Sequence, residues 1–240
     1  MTIDVDKIYT TTWEHYLKAK NSIPEQRMFI EHKASAISDA IPGFNANQLE
    51  FGSYDKENYA VLFVDMRHST LRAERVGAEK TFLTMHVYLT ALLEVIRYHH
   101  GKVIDIMGDG IMAFWGGRVA LEKENMTKEI AVQKAGICGR DMLVIREKVI
   151  NKIVESEHLG PVLNIGIGVT FDSVIVTKIG IADSYDVKAF GDCINIASKY
   201  SSKVINKVKV SKKVKILWPS SLKGKICFSR IEGEDAYYLM

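Results

Sequence analysis

Residues 59–117 decide the fold; this stretch opens with YAVLFVDMRHST at 59–70 and closes with GKVIDIMGDGIMAFWGG at 101–117. Ala60 to Val64 form an almost unbroken apolar run, which is typical of a strand buried on both faces. The run ends abruptly at Asp65. The sequence therefore predicts a carboxylate at the end of a buried strand.

Two further β-prone runs, Val103–Ile106 and Ile111–Trp115, flank the sequence MGDG at 107–110. Asp-Gly between apolar runs is a strong hairpin signal, so Asp109 is expected at a hairpin tip. If this hairpin pairs beside the first strand, Asp65 and Asp109 converge. Two such carboxylates can hold hard divalent cations, which in turn hold a polyphosphate.

The same two aspartates have a purely structural interpretation. An aspartate after a strand often caps the following helix, and Asp-Gly in a hairpin often serves only the turn. Spacing alone leaves both interpretations open.

Four segments of the chain, in order, resemble the class III nucleotidyl cyclases, the family of adenylyl and guanylyl cyclases. They read FVDMRHST, IDIMGDGIMAFWGG, NIGIGVTFDSVIVTKIG and DVKAFGDCINIASKYSS, and they span roughly residues 58–202. Four segments in the family's order are far more specific than any one of them. The resemblance implies an α+β fold, the ferredoxin-like βααββαβ palm, with helices over a mixed sheet.

In this family two divalent cations, Mn²⁺ or Mg²⁺, activate the ribose 3′-hydroxyl of a nucleoside triphosphate. The hydroxyl attacks the α-phosphorus in line, and pyrophosphate leaves. The resemblance places the metal ligands at Asp65 and Asp109, with the Met66 carbonyl as a further ligand. Cations are needed because the hydroxyl is a poor nucleophile and the transition state carries charge that they offset.

A short loop leads from the first strand into a helix and consists of Arg67, His68, Ser69 and Thr70. Ser69 or Thr70 is the expected N-cap of that helix. Free N–H groups at a helix N-terminus beside a metal suit phosphate oxygens. We therefore expect phosphate binding at these four residues. A solvated loop is the alternative for Arg67 and His68.

The resemblance also implies a head-to-tail homodimer whose sites are completed by the second subunit. That subunit brings an asparagine that positions the ribose and, four residues later, an arginine that stabilises the transition state. Asn195 fits the asparagine, but Lys199 stands at the arginine position. Lysine keeps the charge and loses the planar fork that holds two phosphate oxygens. We expect slower catalysis, or a transfer of the role to Arg67 or Arg230.

Base selection is where the chain departs most from its family. At the position of Asp105, adenylyl cyclases carry lysine and guanylyl cyclases usually glutamate; at the position of Lys188, adenylyl cyclases carry threonine or aspartate. An acid accepts from a ring N–H and a lysine donates to a carbonyl, a pattern that suits uracil or guanine. A salt bridge that never contacts the nucleotide is the alternative.

With its altered base pocket and helical N-terminal extension, the chain looks most like the bacterial pyrimidine cyclases of Pycsar antiphage defence. That resemblance implies conversion of UTP to the 3′,5′-cyclic nucleotide, which a separate effector reads. CTP, GTP and ATP are alternative substrates. A degenerate, non-catalytic domain that senses nucleotide is a second alternative, whereas no GG(D/E)EF-like signature supports a diguanylate cyclase.

The 240 residues, 47% of them hydrophobic, can form one large domain or one domain with an extension. We expect a helical extension at residues 1–50, with helices at Thr12–Lys20 and Glu25–Ile41, and the catalytic domain at residues 51–240. No apolar run is long enough for a bilayer and no signal peptide is present, so we expect a cytoplasmic protein without membrane contact.

Eight lysines and no acidic residue occur between Lys203 and Lys225. Such a cluster indicates either a phosphate-binding face or a solvated edge. Because the cluster contains a single aromatic residue, Trp218, and no series of aromatic residues for base stacking, we expect no nucleic-acid polymer as a partner.

Further elements follow from periodicity and turn residues. They are helices at Ala78–His100, within Lys128–Glu157 and at Asp192–Ser202, a hairpin of Leu163–Thr170 and Val174–Gly180 around Asp172, and strands at Asp186–Gly191, Val208–Val210, Ile226–Ile231 and Ala236–Leu239.

Overall fold

The computed structural model describes residues 3–23, 50–181, 184–219 and 226–240. The predicted helix Glu25–Ile41 lies outside these residues. The helices are α1 (Val5–Ser22), α2 (Ser69–Tyr98), α3 (Arg118–Glu124), α4 (Lys128–Ile145), α5 (Lys152–Ser156), α6 (Asp192–Ser202) and α7 (Lys212–Leu217), and a π-helical stretch, Arg146–Asn151, joins α4 to α5. The strands are β1 (Tyr54–Met66), β2 (Lys102–Met107), β3 (Gly110–Gly116), β4 (Ile165–Ile181), β5 (Ser184–Phe190), β6 (Lys207–Ser211), β7 (Phe228–Arg230) and β8 (Ala236–Leu239).

The described strands form one mixed sheet in the order β2-β3-β1-β4-β6-β8-β7, with β5 paired to β4 outside this path. β4 and β6 run parallel, and the other pairs are antiparallel. The predicted α+β architecture is therefore confirmed.

The apolar run of β1 is buried on both faces, as its sequence predicts. Ala60, Leu62 and Val64 belong to a large core shared with α2 and α4. Val61 and Phe63 belong to a smaller core on the opposite face, shared with α6. Because side chains alternate along a strand, such a sandwiched strand must be apolar at every position.

The predicted hairpin around Asp172 is wrong. β4 is one continuous strand, and its pairing with β1 runs from Met66 opposite Ile165 to Tyr54 opposite Thr177. Asp172 lies within this strand, and its carboxylate forms an ion pair with Lys213. A polar residue with such a partner can lie inside a strand and does not mark a turn. The chain reverses after Ile181 instead, and β5 returns along the end of β4.

Two helices differ from prediction at their N-terminal ends. α1 begins at Val5 because the Asp4 side chain accepts a hydrogen bond from the Lys7 backbone N–H at 3.0 Å, as an N-cap does. α2 begins at Ser69, and Gly77 interrupts it with φ of 81°. The predicted start at Ala78 therefore corresponds to the part of α2 that follows this kink.

α1 contacts the rest of the protein through both apolar and polar side chains. Ile8 and Tyr16 are buried in the large core. The Tyr16 hydroxyl donates to Glu157 at 2.5 Å, and Lys20 pairs with the same carboxylate at 2.7 Å. None of the helices among the described residues has the length and apolar character to cross a membrane.

Candidate active site

Strand register brings Asp65 and Asp109 to the same edge of the sheet. Val64 pairs with Ile111, so Asp65 lies next to Gly110 at the end of the β1–β3 ladder. Met107 pairs with Gly110, which leaves Gly108 and Asp109 as a two-residue turn. Gly108 takes the positive φ of 62° that a tight hairpin requires. Asp109 is thus at the hairpin tip, but the turn is Gly108-Asp109 and not Asp109-Gly110.

The two carboxylates are close enough to affect each other. The backbone N–H of Met66 donates to Asp109 Oδ2 at 3.0 Å. Partial burial and, after it, the neighbouring Asp109 carboxylate together raise the pKa of Asp65 to about 6, although Arg67 opposes the rise. Like charges held together in a partly desolvated site favour a cation between them.

The donor set fits a hard divalent cation. Two carboxylates converge, and their oxygens are the ligands that hard cations prefer. The Met66 side chain is buried, so Met66 could contribute only its backbone carbonyl. Among the described residues, no cluster of three or more His, Cys, Asp or Glu side chains is placed to hold a metal. Backbone, water or substrate oxygens would therefore have to complete the coordination.

Arg67 links this edge to the end of α6. Its guanidinium forms an ion pair with Asp65, and its Nη1 donates to the Ser202 carbonyl at 2.7 Å. Arg67 and His68 also line a small cavity of about 350 Å³ next to Asn164.

α2 begins without a side-chain cap. His68 is the N-cap residue, with φ of 58° and ψ of 34°, and its side chain makes no capping hydrogen bond. The predicted cap at Ser69 or Thr70 is therefore wrong, because these residues are already in the first turn. The N-terminal N–H groups of α2, which lie close to the two aspartates, therefore donate to no capping side chain.

Asn195 and Lys199 both lie on the exposed side of α6, one helical turn apart. The opposite side of α6 lies directly on β4. A Cβ at Gly168 would come within 2.0 Å of the Ala197 carbonyl oxygen, and one at Gly166 within 2.0 Å of the Ser201 carbonyl oxygen. The two glycines of the GIG sequence at 166–168 therefore allow α6, the helix that carries Asn195 and Lys199, to pack closely on β4.

Asp105 and Lys188 lie close together in a single chain. The Lys188 Nζ is 3.8 Å from Asp105 Oδ2 and 2.6 Å from Asp186 Oδ2. The pKa of Lys188 is raised, mainly by its hydrogen bond to Asp186. Sequence reasoning missed Asp186, although its position two residues before Lys188 on a strand places both side chains on the same face.

The lysine cluster has partners for most of its described members. Lys209, Lys212 and Lys213 form ion pairs with Glu234, Asp235 and Asp172, and Lys207 and Lys215 lie over the rings of Tyr238 and Tyr237. These contacts argue against a phosphate-binding face. The interpretation as a solvated edge does not fit Lys209 either, because β6 lies between β4 and β8 and the Lys209 side chain is buried.

A larger cavity of about 890 Å³ lies near Asp55, Arg118 and Lys213. Asp55 is at the opposite end of β1 from Asp65. This cavity contains none of the predicted site residues, so size alone does not identify the active site.

Comparisons with known proteins identify the family. The model of the family described as the adenylate and guanylate cyclase catalytic domain matches residues 51–231. A cytidylate cyclase of Staphylococcus aureus is 28% identical over 64% of this chain and 36% of its own length. A cytidylate cyclase of Escherichia coli is 28% identical over 65% of this chain and 34% of its own length. The chain thus spans about a third of each of these relatives.

The fold has solved counterparts. The adenylyl cyclase CyaB of P. aeruginosa superposes with a TM-score of 0.67 at 19% identity, over 78% of this chain and 96% of that one. At this level of identity, the likeness is evidence of a shared fold.

Proposed function

Because the chain belongs to the adenylate and guanylate cyclase catalytic domain family, we propose that it cyclises a pyrimidine nucleoside triphosphate, preferably UTP. The products are the 3′,5′-cyclic nucleotide and pyrophosphate. The convergence of Asp65 and Asp109 at one sheet edge carries the proposal of cyclisation. The replacement of the purine-type base residues by Asp105 and Lys188 supports a pyrimidine.

Asp65 and Asp109 hold the two divalent cations, Mn²⁺ or Mg²⁺, in the proposed site. Bound there, the cations supply activation of the 3′-hydroxyl and charge for the leaving pyrophosphate. Arg67 orients the Asp65 carboxylate through their ion pair and anchors it to α6. The uncapped start of α2 at His68, Ser69 and Thr70 offers N–H groups to the phosphate oxygens.

Asn195 and Lys199 act across the interface of the proposed head-to-tail homodimer. Both are exposed on α6, so they are available to a second subunit. Asn195 of one protomer positions the ribose bound at the metal pair of the other, and Lys199 provides positive charge to the transition state. Lys199 offers a point charge without a bidentate fork, which predicts a modest turnover number.

Asp105 and Lys188 read the base edge. The carboxylate accepts from a base N–H, and the ammonium donates to a base carbonyl or ring nitrogen. Uracil presents N3–H beside O4, which matches this pair. The 3.8 Å between Asp105 Oδ2 and Lys188 Nζ leaves them without a direct hydrogen bond, so both keep capacity for a ligand.

CTP is the second candidate substrate. Two curated relatives of the chain are named cytidylate cyclases. Cytosine also places a donor, its amino group, next to an acceptor, its N3, and the same Asp–Lys pair complements that edge.

The proposed cellular role is second-messenger synthesis in bacterial antiphage signalling. It rests on the resemblance to the Pycsar cyclases and on the cytidylate cyclases among the relatives. The proposed reaction draws on the cytoplasmic nucleotide pool, and a separate effector binds the cyclic product.

The direct test is incubation of the purified protein with UTP, CTP, GTP or ATP and Mn²⁺ or Mg²⁺, with mass spectrometry of the products. Cyclic UMP as the main product supports the proposal, and cyclic CMP supports the second candidate. A main product derived from GTP or ATP rejects the pyrimidine assignment. No cyclic product from any nucleotide, with either metal, rejects catalysis by this chain.

A further inference from the structure

Asp186 is the closest carboxylate to Lys188 among the ion pairs of the described chain. Their atoms are 2.6 Å apart, which is a charge-assisted hydrogen bond. The Lys188–Asp105 separation of 3.8 Å is an ion pair without a hydrogen bond. Lys188 is therefore held by Asp186 and only faces Asp105.

Backbone geometry fixes this arrangement. Asp186 pairs with Ile179 and Lys188 with Thr177 in the β4–β5 ladder, so the two side chains share one face of β5. Asp105 comes from β2, whose register shifts between Val103 and Asp105. Such bulges commonly re-aim a side chain at a site. Lys188 and Asp186 thus belong to one strand, whereas Asp105 approaches from another.

Without Asp186, Asp105 would be the nearest carboxylate to the Lys188 ammonium among the described residues. Closure of that pair would occupy both groups that are proposed to read the base. An ammonium carries three N–H donors, so the bond to Asp186 still leaves donors for a ligand.

We infer that Asp186 is a specificity-determining positioning residue, which holds Lys188 away from Asp105 so that both remain available to the nucleobase. This inference rests on the proposed function, because it assigns base reading to Asp105 and Lys188. It adds a third residue to that pocket, one that acts through Lys188 and has no contact of its own with the base.

If the Lys188–Asp186 pair served only to stabilise the fold, loss of the pair would leave base selectivity unchanged. The side chains of Lys188 and Asp186 are 47% and 37% exposed, and ion pairs this exposed contribute little to stability. The melting temperature of an Asp186→Asn variant, measured beside that of the wild type, checks that its fold is intact. Any change in base selectivity then reports on the position of Lys188 and not on a damaged fold.

The experiment measures kcat and KM of the purified full-length chain on UTP, CTP, GTP and ATP, for the wild type and for Asp186→Asn. We expect the selectivity for the preferred nucleotide to fall by about tenfold or more, mainly through its KM. Turnover of the poorer nucleotides should change by less than about threefold, since metal-dependent chemistry is intact. The control is Asp55→Asn, which breaks another exposed ion pair, that with Arg118.

A double substitution tests the route of the effect. If Asp186 acts by keeping Asp105 available, Asp186→Asn should have little further effect on selectivity in an Asp105→Ala background. Additive effects of the two substitutions would overturn the inference. Unchanged ratios among the four nucleotides in Asp186→Asn would overturn it as well.

This inference and the proposed function can fail separately. A wild-type preference for a purine would reject the pyrimidine assignment, while the change in selectivity would still test Asp186. If no nucleotide is turned over, the dissociation constants of the four α,β-methylene analogues, compared between the wild type and Asp186→Asn, test the same ratios without chemistry. Equal ratios in both proteins would again overturn the role of Asp186.

Discussion

The backbone N–H of Met66 donates to the carboxylate of Asp109 at 3.0 Å, across residues that are 43 positions apart in the chain. This bond joins the end of β1 to the tip of the β2–β3 hairpin. Asp65 lies immediately before Met66, so the bond fixes the relative position of the two aspartates. The proposed metal site is therefore a product of strand register.

Asp65→Asn is expected to reduce cyclase activity by at least about 100-fold while the fold stays intact. The amide is nearly isosteric but carries no negative charge, so cation binding is lost while packing is preserved. Activity assays and circular dichroism measure the two effects. Asp55→Asn, on the same strand, should retain activity, and a comparable loss there would argue against a specific role of Asp65.

The pH dependence of stability should reveal the strain between Asp65 and Asp109 in metal-free protein. The pKa of Asp65 is raised to about 6, above its ordinary value of 3.8. A carboxyl group with a raised folded-state pKa contributes stability below its unfolded pKa, and this contribution is lost as pH rises through the folded pKa. The contribution of Asp65 to the melting temperature should therefore decline between about pH 4 and pH 6.

The measurement is thermal unfolding in EDTA over that pH range, for the wild type and Asp65→Asn. The wild-type curve minus the variant curve isolates the contribution of Asp65. Addition of Mn²⁺ should raise the melting temperature more at pH 7 than at pH 5, because the cation binds the ionised pair. A difference curve that is flat from pH 4 to pH 6 would contradict the raised pKa.

The packing of α6 on β4 gives a prediction about stability. A methyl group at Gly168 would come within 2.0 Å of the Ala197 carbonyl oxygen, which is backbone and cannot move aside alone. Gly168→Ala should therefore lower the free energy of unfolding by about 1–3 kcal/mol or more. Because the shift of α6 would displace Asn195 and Lys199, activity should fall by more than the unfolded fraction explains.

Denaturant unfolding and activity at a temperature well below the transition measure these two effects. Ser198→Ala serves as the control on the same helix, because it removes a hydroxyl without adding volume. A Gly168→Ala protein with wild-type stability would contradict the close approach of helix and strand.

Lys199 can be tested by restoring the fork that the family's arginine provides. Lys199→Arg should keep or increase kcat, because a guanidinium can hold two phosphate oxygens. Lys199→Ala should lower kcat by about 10- to 1,000-fold, as loss of one transition-state charge contact does in other enzymes. Equal activity of the lysine, arginine and alanine proteins would remove Lys199 from the proposed mechanism.

The sequence predicts the parts of this protein that depend on local pattern. The unbroken apolar run of β1 and the turn residues near Asp109 are such signals, and the structure confirms both. The turn predicted at Asp172 was wrong, because a polar residue within a strand resembles a turn residue when its partner, here Lys213, is distant in sequence. Asp186 was missed for the same reason, since its importance depends on how β5 faces β2 in three dimensions.

The proposed sharing of each site between two subunits leads to a mixing experiment. Asp65→Ala removes a metal ligand, and Asn195→Ala removes the ribose contact, so each homodimer should be inactive. In a mixed dimer, one site has both substitutions, Asp65→Ala from one subunit and Asn195→Ala from the other. The second site has an intact Asp65 and an intact Asn195. One of the two interfacial sites is therefore complete.

Mixing the two inactive variants in equal amounts should recover about a quarter of wild-type activity. Random exchange makes half of the dimers mixed, and each mixed dimer has one intact site of two. Exchange is checked independently with differently labelled subunits, and a mixture of Asp65→Ala with Asp109→Ala is the matched control. That control should remain inactive, because both substitutions affect the same metal pair and every site in the mixed dimer carries one of them. Demonstrated exchange without recovery in the first mixture would show that Asp65 and Asn195 do not act across a dimer interface.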